Sequence, residues 1–499
     1  MAHQFHLYNS LTRKKEPVEP LEEGHLRFYS CGPTVYSYAH IGNFRSFITA
    51  DLIFRTAKKM RWNVTYATNI TDVGHLTDDD LADTSGEDRM VQALQSKEGE
   101  RFANIWDLAR YYTVVLQEDW MSLNLLEPTV RPRASEHMRE QINAVEQMLE
   151  SGNAYETSNT VYFSVPSFPA YGRLSGNEAA EDLEQAVRDV VQDPEKKDPR
   201  DFALWKKDDS HLMQWHSPWG WGFPGWHLEC SVMAQSYLGE EIDIHAGGED
   251  LIFPHHECEI AQTECITGKT FARKWVHTRF LQVEGKKMSK SAGNFFTVRD
   301  LVLPKSEGGR GIDPLAVRMT LLSGHYRKPF NFTFDTLKTN IRHRERFEDT
   351  IALAEKGLDN GGDGADELGD VLNALSDRTF KAMLDDLNTP EALAATFEAT
   401  KAVLSHEQLS KGSAASVKSW LDHTNDLLGI VYAHTPRAIE DGDESFAAEV
   451  DALVAARTRA REENDYARAD EIRDELTALD VEVMDTPGGP RWKRRSALL

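Results

Sequence analysis

Cysteine is scarce in this chain: Cys31, Cys230, Cys258 and Cys265 are the four present in 499 residues. They are too few and too scattered for a disulfide framework, so metal ligation or plain burial is the expectation. Long apolar runs are missing as well. No stretch approaches the ~18 residues that read as a membrane-spanning helix. The opening "MAHQFHLYNSLTRKKEPVEP" has no apolar signal-peptide core, so a cytoplasmic protein with no membrane partner is expected. Positive charge is in short supply: 56 Lys and Arg stand against 81 Asp and Glu, for a formal net charge of −25. That balance argues against a nonspecific nucleic-acid coat but leaves room for a polyanion held on local basic patches. Three such patches are "RPR" at 131–133, "IRHRER" at 341–346 and "RWKRR" at 491–495. Acidity of this degree also suits a saline cytoplasm. Internal repeats are absent, and so is the phosphate-cradling pattern G-x-x-x-x-G-K-[ST].

What is present has the composition of an ordinary globular protein, 40% apolar and 27% charged, with length for roughly three domains. "GHLRFYSCGPTVYSYAHIGNFRSFITADLIFRTAKKM" reads as strand, tight turn and helix. Leu26 to Ser30 are β-prone, "CGP" breaks the strand, and Phe44, Ile48 and Leu52 continue at helical spacing from Ile41. "WNVTYATNIT" is a second strand, and strand–helix–strand predicts a parallel α/β sheet. Residues 77–90 read as a polar loop and 101–127 as a helix. The stretch 130–225 is mixed. "EIDIHAGG" and "FPHHECEIAQTEC" then give another strand, turn and helix. After about residue 300 the β signal fades. Helices are expected over 335–432, interrupted by the acidic, Gly-rich 357–370. A linker at 435–445, a helical hairpin at 446–480 with "END" at its turn, and a basic tail follow.

Two short motifs suit a nucleotide. In "HIGN" at 40–43, Gly42 lets the backbone approach closely, and the helix start offers unpaired N–H groups and a positive dipole end. His40 can donate to a phosphate oxygen. In "KMSKS" at 287–291, Lys287 and Lys290 flank a small Ser-containing loop and can neutralise charge growing on pyrophosphate. Each motif alone has a bland alternative, a capping His and a solvated Lys loop.

"HHECE" raises a metal question. Zinc takes four ligands from Cys, His, Asp or Glu, and positions i and i+4 of a helix share a face. His255 and Glu259 form such a pair. His256 lies about 100° around the helix and is expected to point elsewhere. Cys258, three residues from His255, is not excluded by spacing, with a buried thiol as its bland reading. The remaining ligands must come from afar. Cys31 in "YSCGP" and Cys230 after "GWHLE" are candidates if both stand at the carboxyl ends of parallel strands. The alternative is two buried cysteines and a polar helix face.

Taken together, "HIGN" just after an N-terminal strand and a complete "KMSKS" resemble the signature pair of class I aminoacyl-tRNA synthetases. The usual fourth residue of the first signature is His, and here it is Asn43, whose amide can donate a hydrogen bond but carries no charge. "YSCGPTVY", "NITDVGH", "DFALWK", "SPWGWGFPGWHLECS", "DIHAGGEDLIFPHHECEIAQ", "KMSKSAGN" and "RADEIRDEL…DTPGGPRW" fall in an order similar to that of the cysteinyl-tRNA synthetase family. The resemblance runs the length of the chain.

It implies an α/β fold: a Rossmann-like parallel-sheet catalytic domain with an inserted connective segment, then an all-α anticodon-binding bundle and a small C-terminal domain. The implied boundaries are 1–125 and 221–285 for the two catalytic halves, with the insertion at 126–220. The "KMSKS" loop and stem-contact region would be 286–334, the bundle 335–434 and the C-terminal hairpin and tail 435–499. The implied activity attaches L-cysteine to its tRNA through cysteinyl-adenylate, with ATP brought as its Mg complex. One zinc would be held by Cys31, Cys230, His255 and Glu259 and not by Cys258, with an open position for the substrate sulfur. A zinc ion answers a selection problem that shape cannot, because serine differs from cysteine only in oxygen for sulfur, and zinc prefers thiolate.

The resemblance further implies an amino-acid pocket formed by Gly32, Thr71, Trp226 and His245. The nucleotide would meet His40, Gly42, Asn43, Asp250, Lys287 and Lys290, with Gly247 and Gly248 letting adenine approach the backbone. Arg491, Trp492, Lys493 and Arg494 would touch tRNA by stacking and phosphate contact. A monomer is expected. Three other assignments fit the sequence less well. A ligase joining cysteine to an amino-sugar would lack the ~150 residues of C-terminal helical region. A methionine enzyme would not need both Cys31 and Cys230. A non-catalytic tRNA-binding relative would have lost "KMSKS" or the ligands.

Overall fold

The computed structural model describes residues 3–74, 76, 87–176, 194–289, 292–432, 443–462, 465–478, 481–486 and 489–494. The chain divides into two compact units, Met1–His434 and Thr435–Leu499. At the centre of the first is a four-stranded sheet of β1 (His25–Ser30), β2 (Asn63–Thr68), β3 (Ile242–Gly248) and β4 (Ala272–Thr278). Their order is β4-β3-β1-β2 and every pairing is parallel. Six of the seven β3 residues are buried, the continuous burial expected of a strand covered on both faces. Helix α1 (Ile41–Lys59) joins β1 to β2, α2 (Trp226–Leu238) leads into β3, and α3 (Glu257–Thr267) joins β3 to β4. The chain therefore leaves the adjacent strands β1 and β3 in opposite directions across the sheet. Their carboxyl ends form a topological switch point, where open α/β sheets hold ligands.

Between β2 and α2 lies the insertion, whose antiparallel sheet has the order Ala154–Glu156, Thr160–Phe163, Phe202–Lys207, Gly220–Pro224, Trp215–Ser217. The strand Gly220–Pro224 runs past the boundary expected at residue 220 and feeds α2 through Gly225. A Cβ on Gly225 would sit 2.1 Å from the Ala203 carbonyl oxygen, so this junction needs glycine. Cys230 consequently lies on a helix and not at the carboxyl end of a parallel strand, contrary to expectation.

After β4, the short strands Leu281–Val283, Lys286–Lys287 and Phe330–Phe332 form a small sheet. The helices Phe334–Asn360, Gly369–Leu384, Thr389–Val403 and Lys411–Leu428 then supply the expected bundle. Bundle residues such as Phe347, Met383 and Trp420 share one continuous apolar core with the parallel sheet.

The second unit holds helices Asp443–Glu462 and Tyr466–Ala478, the expected hairpin. The expected tail is different: Val481–Thr486 pairs antiparallel with Gly489–Arg494. Period-2 alternation in "VEV" and turn chemistry in "TPGG" favour this pairing, although basic charge dominates the composition of the segment. Arg491, Trp492, Lys493 and Arg494 occupy strand positions opposite Met484, Val483, Glu482 and Val481. Among the described residues no helix is long and apolar enough to cross a membrane.

Candidate active site

The carboxyl ends of β1 and β3 open into a cavity of about 640 Å³. Cys31 follows β1 directly, and its N–H donates to the Ala246 carbonyl of β3 at 3.1 Å, so it stands at the switch point. Gly32, Trp226, Gly248 and Asp250 line the cavity from the sheet side. His40, Gly42, Asn43 and Lys287 line it from the signature motifs.

The two motifs meet although far apart in sequence. His40 caps α1 reciprocally with Asn43: the Asn43 N–H donates to His40 Nδ1 at 3.1 Å, and the His40 N–H donates to Asn43 Oδ1 at 3.0 Å. The unusual Asn43 thus has a local role as the return half of a capping box. A Cβ on Gly42 would lie 2.9 Å from the His40 ring and 3.4 Å from Met288 Cε, so only glycine leaves room there. Just beyond the other motif, the Phe296 carbonyl accepts from the Ile41 N–H, and Phe295 packs edge-on against His40 with centroids 5.3 Å apart. Asn294 braces the "KMSKS" loop, accepting from the Ser289 N–H at 2.9 Å and donating to the Lys287 carbonyl at 3.1 Å. Lys287 is exposed, and Lys290 lies outside the described residues.

Beneath the cavity, Cys31, Cys230, His255 and Glu259 bring one ligand atom each to within 4.8 Å of one another, and all four are buried. Cys31 Sγ is 3.9 Å from Cys230 Sγ and 3.7 Å from Glu259 Oε1, and His255 Nε2 is 3.1 Å from the same oxygen. Such a group can hold a metal. Cys258 is elsewhere, with its thiol 3.4 Å from the Tyr171 hydroxyl.

His256 departs from expectation. Its Nε2 lies 3.3 Å from Cys31 Sγ, and Cys31, His245, His256 and Glu259 form a second convergent group. The cause is local. Ile252–His256 is a π-wound turn with Phe253 extended at φ −136°, ψ 132°, so an α-helical 100° step does not describe this turn. Sequence spacing also gave no sign of the surrounding imidazoles. His227 Nδ1 is 2.8 Å from His255 Nδ1, His256 Nδ1 is 2.8 Å from His277 Nε2, and His277 Nδ1 is 2.8 Å from the Ser10 hydroxyl. Only His227, three residues before Cys230 in "WHLEC", had a helical-spacing signal.

Burial alone would raise the Glu259 carboxyl, but the imidazoles of His245 and His255 bring it down to about 2. Burial would lower His255, but Glu259 and Cys230 lift it to about 10. Cys31 donates toward Cys230, which lowers the Cys230 thiol to about 6, while burial and that thiolate push Cys31 well up. Burial among neighbouring imidazoles holds His256 well below its usual range.

Trp226 lies over His255, ring centroids 4.2 Å apart, and is among the residues that line the cavity. His245 is fully buried behind Glu259, its Nε2 2.8 Å from Oε2, and it stacks on Trp275. The Thr71 hydroxyl donates to Glu229 Oε2 at 3.0 Å. Gly32 is forced by the close approach of the segment after β1 to the Asn69 carbonyl, 1.7 Å from a hypothetical Cβ. Gly247 leaves room for the His256 ring, which a Cβ would meet at 2.8 Å, and Gly248 leaves room for the Asp250 carboxylate at 2.2 Å.

Comparison with known proteins bears on this arrangement. The family model for the tRNA synthetases class I (C) catalytic domain matches residues 17–342, a DALR domain matches 380–432, and a cysteinyl-tRNA ligase anticodon binding domain matches 443–492. The chain is 57% identical to a cysteine--tRNA ligase of Salinibacter ruber, with 98% of each chain covered. It is 40% identical to the cysteine--tRNA ligase of Chlorobaculum tepidum, with 99% of each covered. Among solved structures, a methionyl-tRNA synthetase of Mycobacterium tuberculosis bound by methionyl-adenylate aligns with TM-score 0.56 at 15% identity. That alignment covers 81% of this chain and 92% of the other. The LeuRS of Agrobacterium radiobacter in a ternary complex aligns with TM-score 0.59 at 10% identity, covering 83% and 85%. At those identities the structural likeness speaks for the fold alone.

Proposed function

Because the chain belongs to the cysteinyl-tRNA ligase family of class I tRNA synthetases, we propose that it activates L-cysteine with Mg–ATP to cysteinyl-adenylate and transfers the cysteinyl group to its cognate tRNA, with one zinc choosing the substrate thiol. The observation that carries this reading is the buried Cys31, Cys230, His255 and Glu259 group at the floor of the cavity that His40 and Lys287 border.

The donor set fits zinc. Two thiolates at about 2.3 Å from one tetrahedral ion stand about 3.8 Å apart, close to the 3.9 Å between Cys31 and Cys230 and far beyond a ~2.05 Å disulfide. His227 on the far nitrogen of His255 and His245 on the far oxygen of Glu259 supply the outer partners that metal ligands use. When bound, zinc would supply a Lewis acid that takes a thiolate far better than a hydroxyl. Cys31 and Trp226 border both floor and cavity, so a cysteine with its sulfur at the floor would present its carboxylate toward the signature motifs.

There the chain's own groups handle charge. With Nδ1 accepting from the Asn43 N–H, a neutral His40 carries its proton on Nε2 and can donate it in a hydrogen bond to a phosphate oxygen. Asn43, its Oδ1 engaged, offers its amide N–H groups. Lys287, with Lys290, would neutralise the departing pyrophosphate. The attacking group is already a carboxylate, so positioning and charge stabilisation suffice and no general base is required. Thr71 and Trp226 would orient the amino acid, while Gly247, Gly248 and Asp250 would border the nucleotide. Arg491, Trp492, Lys493 and Arg494 would meet tRNA. A cytoplasmic monomer completes the reading.

The test is charging of unfractionated tRNA with labelled cysteine, run beside amino-sugar acceptors. ATP-dependent cysteine on tRNA is expected. Cysteine activation with transfer only to an amino-sugar would contradict the tRNA assignment.

A further inference from the structure

Glu229 lies on α2, between Trp226 and Cys230, with no solvent exposure. Its Oε2 accepts from the Thr71 hydroxyl, and its Oε1 has no hydrogen-bond partner among the described residues. The neighbouring carboxylates are committed elsewhere. Asp72 accepts from the Ser135 N–H and hydroxyl, and Glu259 accepts from His245 and faces His255.

The hydrogen bonds around Thr71 have a fixed direction. The Gly32 N–H donates to Asn69 Oδ1 at 2.7 Å, Asn69 Nδ2 donates to Thr71 Oγ1 at 3.0 Å, and Thr71 Oγ1 donates to Glu229 Oε2. A hydroxyl has one proton and two lone pairs. Thr71 has given its proton to Glu229 and one lone pair to Asn69, so it can only accept from a newcomer. The series begins at Gly32, on the cavity wall beside Cys31.

We propose that Glu229 is a positioning residue that fixes the Thr71 hydroxyl as an acceptor for the α-ammonium of the substrate. This rests on the cavity being a cysteine site, as proposed for the function. The floor takes the thiol and the signature motifs face the carboxylate, which leaves the ammonium as the one polar group of cysteine that needs an acceptor. Without the Glu229 acceptor the Thr71 hydroxyl can rotate and present its proton, and the site loses its preference for an amine over an isostere that lacks one.

Two probes separate the groups: cysteamine has thiol and ammonium, and 3-mercaptopropionate has thiol but no ammonium. Each is titrated calorimetrically into zinc-loaded protein, with zinc content measured for every variant. Glu229→Leu removes the acceptor at similar volume, and it is expected to weaken cysteine and cysteamine by about 10-fold or more while moving 3-mercaptopropionate by less than about twofold. Thr71→Val should give the same selective loss, and Glu229→Gln, which keeps an oxygen acceptor, should restore the ammonium preference. Glu229→Met fills the site flexibly without an acceptor and should match Glu229→Leu. Equal weakening of both probes, or an unchanged ratio in zinc-replete Glu229→Leu and Glu229→Met, overturns the proposal. So does loss of zinc in both, since the carboxyl would then hold the metal-bearing helix. A zinc-loaded wild type that binds no thiol overturns the cysteine site as well, whereas normal thiol binding with unselective variants overturns this proposal alone.

Discussion

Cys31, Cys230, His255 and Glu259 are at most 7% exposed, and each is held by another buried side chain. Lys287, across the same cavity, is exposed on a two-residue strand. One side of the site is shaped before any substrate arrives, and the other presents a charge at the end of a braced loop. The contrast follows from the tasks proposed for them. Telling sulfur from oxygen needs fixed ligands, whereas neutralising a departing pyrophosphate needs a cation that can follow it.

That contrast breaks most sharply at the floor. Cys230→Ser is expected to lose zinc and to lower cysteine-dependent ATP–pyrophosphate exchange by on the order of 1000-fold, as the loss of a Lewis acid worth several kcal/mol implies. Metal analysis beside the kinetics checks it. Lys287→Ala should leave zinc content and cysteine KM unchanged while lowering kcat by about 100-fold, the pattern of a contact made only in the transition state.

A pH titration of metal binding reads the charge states of the floor. His255, lifted to about 10, and Cys31, pushed well above its usual range, both hold protons at neutral pH. Glu259, down to about 2, and Cys230, down to about 6, do not. Since a ligand must be deprotonated to bind, zinc uptake near pH 7.5 should release about two protons, and affinity should rise with pH through that range. Calorimetry in buffers of different ionisation heat reads the number. Zinc uptake without proton release would contradict these charge states. The smallest expected effect is on the open side: Asn43→Ala removes half of the capping box and should lower stability by about 1 kcal/mol, read as a shift in the denaturation midpoint.

Much of this was legible in the sequence where local rules apply. Strand, breaker and helix around Cys31, and the i, i+4 pair of His255 and Glu259, follow from short-range spacing. The placement of His256 did not, because a π-wound turn replaces the regular helix at that residue. The strand-end position considered for Cys230 does not hold, because the insertion sheet runs on to Pro224 and a helix starts at Trp226. His227 sits at helical spacing from Cys230, but its partner His255, like the Thr71 partner of Glu229, lies on another element that no local spacing reveals. The strand at 489–494 was hidden by its charge.

Everything proposed for the site turns on the buried floor choosing the substrate through its metal. The most direct measurement compares cysteine- and serine-driven ATP–pyrophosphate exchange in zinc-loaded protein, in protein stripped of metal, and after zinc is restored. Exchange with cysteine alone is expected, with its loss on stripping and its return with zinc. Exchange that survives stripping with the same preference for cysteine would contradict selection by the metal.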